Sequence, residues 1–197
     1  FLLLQMMLLV FSIAFGSDYG QMILPIMFVT WLFVVTKSDL RHVFQQKLVI
    51  VFVLYIVMHL LSLLWSEHVN EGAKFISRMI RYIFLPMIIY ASVVKESNIK
   101  YIITAFILGM FVNEIISYLI YFDLYDTEYS KTRYFPIGFI NRIPYSVLVA
   151  FTAVLILFQA KHMRNLYFKS VYAFFFMTMT ANLVISSGRT GYVVFFG

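Results

Sequence analysis

Long apolar segments alternate with short polar ones along the whole of this 197-residue chain. Residues 48–65, 101–121 and 167–185 approach or reach the length of about 20 residues that an α-helix needs to cross a bilayer. Neither face of these runs is polar, whereas strands of a membrane barrel alternate in polarity over about 10 residues. The pattern therefore predicts an all-α fold, a polytopic bundle of transmembrane helices.

The polar breaks divide the chain into seven predicted spans and the start of an eighth. The spans are residues 1–15, 22–36, 48–65, 76–94, 101–121, 145–160 and 166–185, and the eighth begins after Arg189. Because no internal repeat or flexible linker separates them, we predict a single membrane domain over residues 1–197. The chain starts at Phe1 without an initiator methionine and stops inside an apolar stretch, so we expect an N-terminal fragment of a longer protein.

The composition excludes several classes of protein. Hydrophobic residues make up 62% of the chain and charged residues 12%, whereas soluble domains carry about 25% charged residues. There is no cysteine and the four histidines are scattered, so neither thiol chemistry nor a metal site nor any other cofactor is predicted. The chain is instead typical of a membrane protein.

Charges in the short loops predict the orientation of the helices. Lysines and arginines cluster in the loops after spans 2, 4 and 6, and most of the loop acids lie in the loops between them. Cytoplasmic loops are enriched in basic residues, so we expect a cytoplasmic N-terminus with residues 66–75, 122–144 and 186–190 on the outer face. This topology accounts for most of the net charge of +6, and no basic cluster with interleaved aromatics predicts a nucleic-acid partner.

The basic residues on the predicted outer face need a different explanation. They are Lys74, Arg78, Arg81, Lys131, Arg133, Arg142 and Arg189. The first three have spacings of four and three, so they form one stripe on a helix. The stripe either extends its cations to lipid phosphates, with Glu71 as a partner of Lys74, or forms a site for a phosphate or pyrophosphate. Arg81 lies about two turns inside Lys74, which favours a site.

Two other features carry candidate chemistry. The segment from Ser186 to Tyr192 surrounds Arg189 with glycines and hydroxyls, so it either holds an anion or simply reverses the chain between two helices. Glu114, beside Asn113, is the acid that lies well inside a span. It is interpreted either as a polar functional site, such as a proton relay or cation partner, or as a packing interaction. Pro86 is expected to kink span 4.

Four short motifs resemble the O-antigen ligase and polymerase family of bacterial envelope glycosyltransferases. They are residues 63–66 at the end of a span, residues 78–82 entering the next, residues 138–144, and residues 186–191 with a Ser-rich turn around an arginine. The resemblance extends from about residue 60 to the end of the chain. It is most specific in the last motif.

The resemblance implies a metal-independent glycosyltransferase of the bacterial inner membrane with a periplasmic active face. It would transfer a glycan from undecaprenyl pyrophosphate to lipid A-core, as ligases do, or to a second carrier-linked glycan, as polymerases do. Arg189 would be catalytic by stabilising the pyrophosphate leaving group. The carrier's phosphates would be bound by Arg78, Arg81, Lys74 and Arg142.

Two expectations qualify this interpretation. Family members carry a long periplasmic loop with a histidine as general base beyond the motifs matched here, so this chain by itself is expected to be inactive. The alternative is a secondary transporter or flippase component with Glu114 in the translocation path, although no second related half is visible in the sequence. Membrane lipids are expected neighbours under either interpretation.

Overall fold

A computed structural model describes residues 1–125, 136–163 and 165–186 of the chain. Within these ranges every regular element is helical, which confirms the all-α prediction. The α-helices are α1 (Leu2–Ser12), α2 (Ser17–Val34), α3 (Lys37–Gln45), α4 (Lys47–Ser62), α5 (Val69–Met79), α6 (Leu85–Val93), α7 (Ile99–Tyr121), α8 (Arg142–His162) and α9 (Leu166–Ile185).

Five helical segments in the described ranges are long and apolar enough to cross a membrane. They are Lys47–Trp65, Val69–Ser92, Ile99–Tyr121, Ile143–Lys161 and Leu166–Ile185. Helices α2 and α3 bend by 117° and count as a sixth span if they are taken together, while Leu2–Phe15 is apolar but shorter. The described residues thus agree with a membrane bundle, and the count of seven spans and the cytoplasmic N-terminus stay predictions.

Helix α5 begins earlier than the sequence pattern predicts. Residues 66–75 were expected to form an outer loop, yet the helix starts at Val69 and continues through Ser92. Its polar residues lie on one exposed face, while Ile76 and Met79 are buried beside Ile56 of α4. A helix of mixed polarity is stable when its apolar face packs in this way. The predicted start at residue 76, which excluded the polar residues before it, is therefore too late.

The chain forms two compact units. Unit 1 contains residues 1–6 and 21–99, and unit 2 contains residues 7–20 and 100–197. In unit 1, the Trp31 indole N–H donates to the hydroxyl of Ser92 at 2.7 Å and so ties α2 to α6. Helix α3 begins with a capping box, in which Thr36 and Asp39 bond each other's backbone N–H groups.

Unit 2 has a large apolar core formed by the end of α1 together with α7, α8 and α9. Ala14, Met110, Val149 and Met179 are among its buried members. Gly109 permits close packing of α7 on α1, because a Cβ at this position would lie 2.6 Å from the carbonyl oxygen of Phe11. Small residues serve this purpose widely in membrane helices.

Candidate functional site

Unit 1 brings Lys74, Arg78 and Arg81 together on one exposed surface, as the sequence predicts. Lys74 and Arg78 lie on α5, and Arg81 lies in the segment that joins α5 to α6. All three side chains are exposed and line a common groove of about 630 Å³. We call this the cationic groove. Its other lining residues are Asn70, Ala73, Ser77 and Tyr82.

The cationic groove borders apolar surface on both sides. Arg78 also lines a groove of about 760 Å³ formed mainly by apolar side chains of α4 and α5, including Phe52 and Phe75. Arg81 lines a further apolar groove of about 460 Å³ with Leu60 and Leu63. Each guanidinium thus lies where a polar groove meets an apolar one, an arrangement that suits an amphiphile with an anionic head.

The charges of the cationic groove are not neutralised within the described part of the chain. No acidic side chain there forms an ion pair with Lys74 or Arg78, and the expected partnership of Glu71 with Lys74 is not found. The guanidinium of Arg81 lies 6.0 Å from the centroid of the Tyr82 ring. This distance allows a cation–π contact, which leaves the N–H donors of the guanidinium edge available to a ligand.

A π-helical segment, Ile80–Phe84, carries Arg81 and Tyr82. Its wide turn is closed by the N–H of Leu85, which donates to the carbonyl of Ile80. The cause is Pro86, because proline has no N–H and its ring crowds the carbonyl four residues earlier. We expected a kink at Pro86, and the feature that the structure describes beside it is a π-bulge, which is frequent at functional sites. Val69–Ser92 continues as one candidate span.

The other basic residues that were predicted to lie on the outer face have no described side chain. Arg189 and the turn around it from Ser187 onward are outside the described residues, as are Lys131 and Arg133. Arg142 is the first residue of α8, and its side chain is outside the description as well. Their roles stay predictions.

Unit 2 contains a buried polar cluster whose members the sequence analysis did not identify. The Tyr145 hydroxyl donates to the Asn182 side-chain carbonyl at 2.8 Å. The Asn182 amide in turn donates to Ser117 at 2.9 Å, and Ser117 donates to the backbone carbonyl of Pro136. All of these side chains are essentially inaccessible to solvent. The sequence signal was Asn182 itself, a strongly polar residue within an apolar span.

Asn113 holds the segment that precedes α8. Its side-chain carbonyl accepts a hydrogen bond from the N–H of Phe139 at 3.0 Å. Gly138 has φ +64° and lies against the same carbonyl, where a Cβ would collide with Asn113. Glycine is therefore required here both by conformation and by space. Asn113 thus has a packing role, although its Nδ2 has no partner among the described residues.

Glu114 differs sharply from its neighbour. Its side chain is only 1% exposed, and neither carboxyl oxygen has a hydrogen-bond partner in the described part of the chain. An ionised carboxylate left in this state would cost several kcal/mol, on the order of the penalty for burying any unpaired ion. If the carboxyl is ionised, its charge therefore has to be compensated by a neighbouring group or a bound cation.

The histidine of α4 has an ordinary structural role. The Nδ1 atom of His59 lies 3.0 Å from the carbonyl oxygen of Tyr55. Its ring contacts Tyr55 and Phe75 with centroid distances of 4.3 and 5.8 Å. Among the described residues, no group of three or more histidine or acidic side chains is placed to hold a metal ion.

Comparisons with known proteins add no family. No protein-family model, no curated protein and no solved structure matches this chain.

Proposed function

We propose that the chain belongs to a glycosyltransferase that moves a glycan from undecaprenyl pyrophosphate to an acceptor sugar on the periplasmic face of a bacterial inner membrane. The proposal includes the predicted topology of seven spans and part of an eighth with a cytoplasmic N-terminus. The observation that carries it is the convergence of Lys74, Arg78 and Arg81 on the cationic groove, which has apolar grooves beside it.

A polyprenyl pyrophosphate matches the chemistry of this surface. Its head carries negative charge on two phosphates, which guanidinium groups bind through paired N–H donors while remaining charged. Its tail is a long hydrocarbon, which the apolar grooves beside Arg78 and Arg81 accommodate. A free anion such as sulfate would make no use of the apolar grooves.

The transfer itself would use charge stabilisation by arginine. An acceptor hydroxyl attacks the anomeric carbon, the bond from that carbon to the pyrophosphate oxygen breaks, and the hydroxyl proton passes to a base. Negative charge grows on the departing pyrophosphate, and fixed cations lower the barrier by stabilising it. We assign this role to Arg189 on the sequence resemblance, with Arg78, Arg81, Lys74 and Arg142 as ligands of the carrier.

The experiment is complementation of a bacterial strain that lacks the gene, with the substitutions introduced into the complete gene. We expect Arg189→Ala and Arg78→Ala to abolish or strongly reduce polymeric surface glycan on gels, at normal protein level in immunoblots. The matched control is Arg41→Ala, which removes an exposed arginine of α3 that is predicted to lie on the opposite membrane face. Normal glycan in both test variants would refute the proposal.

The acceptor is identified in the same strain. When a ligase is inactivated, the polymer accumulates on undecaprenyl pyrophosphate and the lipopolysaccharide carries no polymer. A polymerase instead leaves single repeat units attached to lipid A-core. The two products differ in length on the same gel.

A second candidate function is a secondary transporter or flippase component, and the buried unpartnered carboxyl of Glu114 favours it. Intramembrane carboxylates mark ion and proton pathways. If Glu114→Gln stops export of the glycan or another substrate while Arg189→Ala and Arg78→Ala leave it intact, this candidate replaces the first.

A further inference from the structure

We propose that the carboxyl group of Glu114 binds a monovalent cation, a proton or Na⁺, inside unit 2. The inference does not depend on the proposed glycosyltransferase, because it concerns a different unit and a different charge, and it deepens the second candidate function, which rests on the same carboxyl. It starts from a side chain that is 1% exposed with two carboxyl oxygens lacking partners among the described residues.

The surroundings of Glu114 offer oxygen atoms but few free hydrogen-bond donors. The Thr178 side chain lies beside the carboxyl. Its hydroxyl, however, donates to the carbonyl of Phe175 at 3.0 Å. The Tyr118 hydroxyl, one helical turn after Glu114, donates to the carbonyl of Thr178 at 2.8 Å. In this arrangement both hydroxyl protons point to backbone carbonyls, and their lone pairs remain. A hydrogen bond from Thr178 to the carboxyl would have to replace its bond to Phe175, and it would still leave one carboxyl oxygen without a partner in the described residues.

The second tyrosine near Glu114 is committed in the same way. Tyr145 of α8 gives its proton to Asn182, and Asn182 gives its amide proton to Ser117. Tyr118 and Tyr145 are the titratable neighbours of Glu114 in the described residues, and no lysine, arginine or histidine there interacts with it. An ionised carboxylate that is surrounded by acceptor oxygens has no positive charge near it to compensate its own. A bound cation supplies that charge.

A monovalent occupant suits the site better than a divalent one. Ca²⁺ and Mg²⁺ bind where several carboxylates or many waters share the ligand shell, and the described residues contain no group of three or more metal-binding side chains. One carboxylate with neutral oxygens around it balances a single positive charge.

The test measures thermal unfolding of the purified protein in lipid nanodiscs. The chain has no cysteine, so Thr152→Cys provides a single thiol in the core of unit 2. Thr152 is fully buried and its hydroxyl bonds only the carbonyl of Leu148, one turn earlier in its own helix. A thiol-reactive fluorophore then reports when unit 2 opens. Two conditions are varied. In the first series NaCl replaces choline chloride at constant ionic strength, and in the second the pH is changed from about 5 to about 8 without sodium.

We expect the unfolding temperature to rise by about 5 °C with sodium, or by a similar amount as the pH falls. A higher unfolding temperature in sodium identifies Na⁺ as the occupant, and a response to pH without a response to sodium identifies the proton. Glu114→Gln, which keeps the shape and removes the charge, should abolish the response. Glu71→Gln, which removes an equal charge from an exposed position, should retain it.

Two results would overturn the inference. The first is a parent protein that responds to neither sodium nor pH, which would mean that Glu114 is neutralised permanently within the chain. The second is a Glu114→Gln variant that responds as the parent does. Because the parent's own response decides the first result, the test holds even if the variant does not fold.

Discussion

The two units contain charged side chains without ion-pair partners, but in opposite environments. In unit 1, the cations of the cationic groove are exposed, whereas in unit 2 Glu114 is 1% exposed. An exposed cation keeps its contacts with water or lipid headgroups and needs no partner. A buried carboxylate loses its hydration and must be compensated. A missing partner is thus weak evidence of function at the surface and strong evidence in the interior.

The difference decides which observation supports each proposal. For the cationic groove, the informative facts are that three cations line one cavity and that two of them border apolar grooves. For Glu114, the burial and the two oxygens without described partners suffice. The first site depends on how residues converge, and the second depends on what a single residue lacks.

The largest effect should come from Gly138→Ala in unit 2. The added Cβ collides with the Asn113 carbonyl and makes the backbone at φ +64° strained, so we expect a loss of about 3 kcal/mol in unfolding free energy. The Thr152→Cys thiol reports it as earlier opening. Gly20→Ala is the control, because its Cβ would meet only ordinary contacts of 3.6 and 3.7 Å. Equal stability of the two variants would show that the segment before α8 is not fixed on Asn113.

A smaller effect is expected for Tyr145→Phe. The change removes the donor to Asn182 while keeping the ring, so the Asn182 carbonyl loses its partner at a cost of about 1–2 kcal/mol. Tyr167→Phe removes a hydroxyl from a side chain that is 71% exposed and should change little. If both variants unfold alike in the thiol assay, the buried cluster does not stabilise unit 2.

Arg78→Ala should leave stability nearly unchanged and affect binding. We expect an unfolding midpoint within about 2 °C of the parent, as for most surface substitutions. We also expect about tenfold weaker binding of undecaprenyl pyrophosphate in nanodiscs, the loss of one charge-assisted contact. Arg41→Ala should alter neither quantity. A destabilised Arg78→Ala protein with normal binding would assign Arg78 to the fold and remove the contrast between the units.

The smallest effect is expected for Glu71→Gln in the same binding assay. Because Glu71 forms no ion pair with Lys74, its removal should change the affinity for the pyrophosphate lipid by less than about twofold. A clear gain in affinity would mean that Glu71 neutralises the cationic groove in the membrane. That outcome would support the interpretation of the stripe as a locally paired surface.

Hydropathy predicted the all-α class and the approximate positions of most helices, because each long span is apolar over its whole length. It failed at the start of α5, where residues 66–75 were assigned to an outer loop although the helix starts at Val69. The helix there is stabilised by packing of one face, which a count of apolar residues does not see. The stripe of Lys74, Arg78 and Arg81 was predictable since its members are near neighbours on one helix.

The buried cluster was less predictable because its members are distant in the chain. Ser117 and Asn182 are 65 residues apart, and Tyr145 and Asn182 are 37 apart. Each looks like an ordinary polar residue of a membrane helix. Only the packing of α7, α8 and α9 makes them partners.

The sequence by itself thus determined the all-α class with helices apolar enough to cross a membrane, and the grouping of Lys74, Arg78 and Arg81, because both follow from local patterns along one helix. The tertiary structure decided which of Asn113 and Glu114 has a packing role and which is a candidate binding site. Adjacent residues on a helix point about 100° apart. Asn113 therefore accepts from the backbone N–H of Phe139, while the carboxyl oxygens of Glu114 have no hydrogen bond within the described residues. What each side chain faces is a property of the neighbouring elements, and it distinguishes a packing residue from a candidate binding site.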